Sequence, residues 1–115
     1  MNFETKRVGD TTIFKLNEKR LDTSISGLLK SEFTTILKVE GVTKFIIDLS
    51  EVESCDSSGL SALLVANRIV SANEGQIRLA AASEKVQTLI KITQLNRVLS
   101  VTNTVEDALA DLKED

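Results

Sequence analysis

Hydrophobic and polar positions change period several times along the chain, and each change marks an element. Phe3 to Val8 and Thr11 to Leu16 read as two strands around Gly9-Asp10, a two-residue turn that tolerates positive φ in a tight hairpin. Asn17 to Leu21 is a charged connection, and Asp22-Thr23-Ser24 offers three caps for the helix that follows. In that helix Ile25, Leu28, Leu29, Phe33, Ile36 and Leu37 recur at three and four residues, which predicts one face packed on a sheet, with Gly41 at its end. Within the next strand, Lys44 to Leu49, the run Phe45-Ile46-Ile47-Asp48-Leu49 is rich in Ile and Phe, the pattern of a strand buried on both faces. A polar connection through Glu51 and Glu53 follows. Leu60, Leu63, Leu64, Val65 and Ile69 then restore helical spacing, predicting a helix from about Ser57 to Asn73 that stops near Gly75. Gln76 to Ala80 is the next strand, and Ser83 caps a helix carrying Val86, Leu89 and Ile90. Val98 to Val101 reads as a final short strand. Thr104-Val105-Glu106-Asp107 resembles a capping box with Asp in place of Glu, opening a last helix with Val105, Ala108, Leu109 and Leu112 on its apolar face.

The order is therefore ββαβαβαβα. Alternation after the hairpin requires crossovers between parallel strands, so the expected fold is α/β, a mixed sheet opened by a β-hairpin with helices packed against it. No repeat, low-complexity stretch or proline marks a linker, and residues 1–115 are expected to form one domain.

Composition removes whole classes of function. Net charge is −3 with both signs spread along the chain, which leaves no basic stripe for nucleic acid or an anionic membrane. The aromatic residues are four Phe and nothing else, a poor base-stacking platform. The first residues lack the apolar core of a signal peptide, and Ala62-Leu63-Leu64-Val65-Ala66 is too short to span a bilayer. Cys55 stands alone, so no disulfide framework is expected and a reducing cytoplasm fits. With no His, neither a Ser-His-Asp nor a Cys-His nucleophile can be assembled, and one Cys without His removes the usual zinc and copper sites. Neither a catalytic residue, a metal site nor a cofactor is expected, and the chain is read as a non-enzyme.

What remains is the junction Asp56-Ser57-Ser58-Gly59-Leu60, between the most strand-like run and one of the best helix patterns. Asp and Ser are preferred helix caps because their oxygens accept from amides that have no intrahelical partner. A hydroxyl held there sits at the positive end of a helix dipole, where a phosphate could be accommodated. Local sequence alone favours the plain reading, in which Ser57 and Asp56 are caps, Asp22 caps the first helix, and Gly59 serves close packing. Cys55 reads as a small residue at the connection. A serine nucleophile is a third reading, weakened by the missing Gly-x-Ser-x-Gly elbow and the missing His.

With the junction placed, the chain resembles the STAS domain of the anti-sigma factor antagonist family. The matching residues are the strand Phe45-Ile46-Ile47-Asp48-Leu49-Ser50, then Val52, then Asp56-Ser57-Ser58-Gly59-Leu60, with Leu21-Asp22 before the first helix as a second family position. The order of elements agrees over essentially the whole chain. One departure is the connection Asn17-Glu18-Lys19-Arg20, which lacks the glycine common in the family before Leu-Asp.

The resemblance implies a cytoplasmic bacterial protein that acts by partner switching. Its unphosphorylated form would bind an anti-sigma factor that is also a serine kinase and so release sigma factor. Phosphorylation would abolish that binding, and a metal-dependent phosphoserine phosphatase would restore it. The phosphoacceptor carried over is Ser57, with Ser58 as neighbour, and the partner-binding set is Asp22, Asp56, Ser57, Ser58, Gly59 and Leu60. A second expectation is a STAS subunit of a transporter or larger signalling assembly, without phosphorylation, because fold does not fix function.

Overall fold

The computed structural model describes residues 1–113. Strands β1 (Phe3–Val8) and β2 (Thr11–Leu16) form the expected hairpin, and Gly9 at φ +62 takes the left-handed turn position. A two-residue strand β3 (Arg20–Leu21) leads into helix α1 (Thr23–Thr34), which runs on through one wider turn over Thr35–Val39. Next come β4 (Lys44–Asp48), a two-residue β5 (Ser54–Cys55) and α2 (Ser57–Ala72). The chain closes with β6 (Gln76–Ala80), α3 (Glu84–Ile92), β7 (Val101–Thr102) and α4 (Val105–Lys113).

Five strands form one sheet in the order β1-β2-β4-β6-β7, antiparallel between β1 and β2 and parallel elsewhere. Alternation along the strands divides the core between its two faces. Phe14, Phe45, Ile47 and Leu79 pack with Leu29, Phe33, Leu63, Val86 and Ile90 from α1, α2 and α3. Ile13, Ile46 and Ala80 turn the other way and meet Ala108 and Leu112 of α4. β4 is thus covered on both sides, which is why its apolar residues run without a break. All four phenylalanines are used here: Phe14 stacks on Phe3 and meets Phe33 edge-on, with ring centroids at 4.8 and 5.1 Å, and Phe33 meets Phe45 at 5.8 Å.

Four expectations are corrected. Leu28, placed on the sheet-facing stripe, is 57% exposed while Ser26 is buried. Ile25, Leu29, Phe33 and Ile36 define the buried face, and α1 also lies against α2, which turns that face toward Ser26 and leaves Leu28 outside. The last strand lies at Val101–Thr102 and not at Val98 to Val101. The backbone reverses at Gln94, φ +62, and the amides of Val98 and Leu99 both donate to the Leu95 carbonyl, so they are unavailable to a ladder. Gly75 is not the left-handed residue after α2; Glu74 takes φ 58. A Cβ at Gly75 would run into the Thr43 carbonyl, so glycine is required there for close approach. Finally, the connections at Asn17 to Leu21 and through Glu51 and Glu53 contain paired strands, because Arg20–Leu21 and Ser54–Cys55 run parallel.

Candidate functional site at the paired helix starts

The small β3–β5 pair builds the site. Lys19 O accepts from the amides of Glu53 and Ser54 at 2.8 and 3.1 Å, and Leu21 O accepts from Asp56 N at 3.2 Å. These bonds fix the path of the glycine-free connection 17–20. Leu21 stands opposite Cys55 in the parallel register, so the chain leaves the two strands side by side as Asp22-Thr23-Ser24 and Asp56-Ser57-Ser58. Each leads straight into a helix.

Both aspartates are N-caps in extended backbone. Asp22 Oδ1 accepts from Ser24 N at 3.0 Å and from Ser24 Oγ at 2.5 Å. Asp56 Oδ1 accepts from Gly59 N at 3.0 Å. The Ser24 hydroxyl and then its amide hold the Asp22 carboxyl below the usual carboxylate range, with Arg20 adding a smaller pull. Ser57, the first residue of α2, is exposed, and Ser58 is half-buried. Amides of a first helical turn have no intrahelical acceptor. Asp56 uses that of Gly59 and leaves the Ser57 end open toward solvent.

Gly59 is why the two starts lie so close. A Cβ there would meet Leu21 Cγ at 2.6 Å and Cys55 Sγ at 2.8 Å, with the Leu21 carbonyl oxygen nearer still. The first turn of α2 therefore rests directly on the backbone that precedes Asp22. Leu60 is 4% exposed and belongs to the core, so of the six residues expected at a partner surface only Asp22, Asp56, Ser57 and Ser58 present side chains outward. Cys55 lies beneath the pair. Burial, then the carboxylates of Asp56 and Asp22, push its thiol up to about 11, so it stays protonated and inert. Both aspartates acting on one thiol follows from the register.

Sequence reading placed Asp22, Asp56 and Ser57 at helix starts but missed the contribution of Leu21 and Cys55 to bringing those starts together. Two-residue strands carry no periodicity by which they could be found. Chemically the junction offers an exposed hydroxyl, an anion-tolerant helix terminus and two neighbouring carboxylates. Among the described residues no group of three or more His, Cys, Asp or Glu is arranged to hold a metal, and no helix is long and apolar enough to cross a membrane.

Known proteins share this architecture. The STAS domain family model matches residues 2–108. A Thermotoga neapolitana protein, provisionally named as a homolog of an anti-sigma factor antagonist, is 30% identical over 96% of this chain and 97% of its own length. The crystal structure of a Thermotoga maritima protein given the same provisional function superposes with a TM-score of 0.88 at 27% identity, covering 96% of this chain and 94% of that one. At lower identity only the fold is shared. The Bacillus protein SpoIIAA in its phosphorylated form has a TM-score of 0.73 at 22% identity, over 96% of this chain and 98% of its own. Part of the murine anion transporter Slc26a9 has a TM-score of 0.81 at 18% identity, over 96% of this chain and 19% of the transporter. The chain belongs to the STAS domain family, among relatives named as anti-sigma factor antagonists.

Proposed function

We propose that this protein is a cytoplasmic anti-sigma factor antagonist that switches partners through phosphorylation of Ser57. The observation that carries the reading is the position of Ser57: exposed, first in α2, directly after the Asp56 cap and beside the Asp22 helix start. In the unphosphorylated state this surface binds an anti-sigma factor with serine kinase activity and releases sigma factor. The kinase transfers the γ-phosphoryl group of ATP to Ser57 Oγ. A new O–P bond forms as the bond to ADP breaks, and the hydroxyl proton leaves to a base on the kinase. A metal-dependent phosphatase reverses the change by delivering water to phosphorus.

The switch acts at the interface. Phosphoserine adds about −1.5 to −2 charges, which a helix N-terminus tolerates. Beside Asp22 and Asp56 the added charge opposes any acidic partner surface or bound nucleotide, and like-charge juxtaposition costs several kcal/mol. A loss of roughly 3 kcal/mol weakens binding more than a hundredfold.

The first test is intact-mass and phosphopeptide analysis of the protein isolated from its own cells under two growth conditions, with co-purifying partners identified. One phosphoryl group on Ser57 whose occupancy changes, together with a co-purifying kinase, is the expected result. Absence of phosphate under both conditions, with a transporter or scaffold bound, would favour the structural-subunit reading that the likeness to a transporter domain keeps open. With the cognate kinase in hand, Ser57→Ala retains affinity and Ser57→Asp lowers it by at least about tenfold. Equal affinity of the two variants would sink the switch.

A further inference from the structure

The two edges of the five-stranded sheet differ. β7 is two residues long, whereas β1 has six, with β2 on one side and, among the described residues, no strand on the other. The turn sets which groups of β1 face outward. A two-residue loop makes Val8 and Thr11 a mutually hydrogen-bonded pair, and the bond from Asn17 N to Asn2 O continues the same phase at the far end. Even-numbered residues of β1 therefore bond to β2, while Phe3, Thr5 and Arg7 turn their N–H and C=O groups to the open edge. Such a row is a template for another strand.

We propose that β1 pairs with β1 of a second copy of this chain, antiparallel about a two-fold axis at Thr5, joining the two sheets into one. The phase admits registers in which outward-bonding residues face one another. With Thr5 opposite Thr5, Phe3 faces Arg7 and Glu4 faces Lys6, each twice by symmetry. Glu4 and Lys6 then form non-hydrogen-bonded pairs, in which side chains approach most closely. Moving the axis to Glu4 sets Glu4 on Glu4, and moving it to Lys6 sets Lys6 on Lys6, so like charges reject the neighbouring registers. Glu4, Thr5, Lys6 and Arg7 are all exposed. The two salt bridges among the described residues involve neither Glu4 nor Lys6, and Glu4 Oε2 accepts from Asn17 Nδ2 at 2.8 Å. A lysine on an edge strand ordinarily blocks pairing. Here Glu4, two residues earlier, complements it, and an isologous contact of this kind closes at two copies.

Sedimentation equilibrium of the full chain, from micromolar to millimolar concentration, tests the proposal. The expected result is a reversible monomer–dimer equilibrium. Thr5→Pro removes an outward N–H that β2 does not use, so it abolishes the dimer while the hairpin survives. Lys6→Glu weakens association by about tenfold, and Glu4→Lys combined with Lys6→Glu restores it. If Thr5→Pro fails to fold, the charge series decides, together with amide exchange that slows at Thr5 and Arg7 as the wild-type concentration rises. A wild type that stays monomeric, one that pairs β1 with an unrelated peptide but not with itself, or a dimer indifferent to charge reversal, overturns it.

Discussion

Gly59 and Gly27 both lie inside helices, yet the same substitution at each has opposite expected signs. Around Gly59 the Leu21 backbone and the Cys55 sulfur leave no room for a methyl group, and a backbone carbonyl cannot swing aside as a flexible side chain can. Gly59→Ala should destabilise by about 3 kcal/mol through overpacking and pull the two helix starts apart. Gly27 is exposed on α1, and a Cβ added there would have nothing within 4 Å, so Gly27→Ala should stabilise by about 1 kcal/mol. Urea unfolding of both variants checks the pair, and equal effects would refute the packing argument. Cys55 gives a second prediction at this scale. With the thiol raised from 9.0 to about 11, its thiolate fraction near pH 8 is about a hundredfold below that of an unperturbed thiol. Native-state alkylation should be slower, though by less than that factor because a thiolate of higher pKa is the better nucleophile. The sign also fixes the alkaline limb of stability. The folded thiol keeps its proton above the point where the unfolded one loses it, so stability should fall between pH 9 and about 11, and Cys55→Ser should remove that slope.

Among the described elements, α4 covers the second face of β4. Leu112, fully buried against Ile13, Ile46 and Ala80, anchors it, and the Asp107 amide donates to Thr104 Oγ1 at 3.0 Å at its start. Leu112→Ala should cost about 3 kcal/mol and Thr104→Ala about 1 kcal/mol, read from chemical denaturation. Neither residue touches the Ser57 junction, so under the proposed function the folded variants should be phosphorylated like the wild type. The β3–β5 pair is the opposite case: of its four residues only Leu21 is fully buried, but their register decides where two helices begin.

For the whole molecule, the proposed switch requires that partner binding change while the fold does not. Ser57 is exposed at a helix terminus and outside both core clusters, so Ser57→Asp and the phosphorylated protein should melt within about 2 °C of the unmodified one while losing partner affinity. A large fall in melting temperature would mean that phosphorylation acts by unfolding. Acid tests the neighbouring cap. The folded Asp22 carboxyl lies below its unfolded value, so its contribution is present above the unfolded value and disappears as pH falls through the folded one. Asp22→Asn keeps an N-cap and should flatten the acid limb of a stability profile.

The sequence by itself determined the order of the elements apart from β3 and β5, the two-sided burial of β4 and the aspartates that open α1 and α2. These are local matters: period, capping oxygens and breaker residues act within a few positions of one another. It could not place Leu28, whose exposure depends on how α1 is rotated against both the sheet and α2, nor the last strand, whose amides are taken by Leu95. Above all, it could not bring Asp22 beside Asp56. That step needs β3 and β5 to pair across more than thirty residues and Gly59 to lie on Leu21, and only the folded chain supplies contacts at that separation.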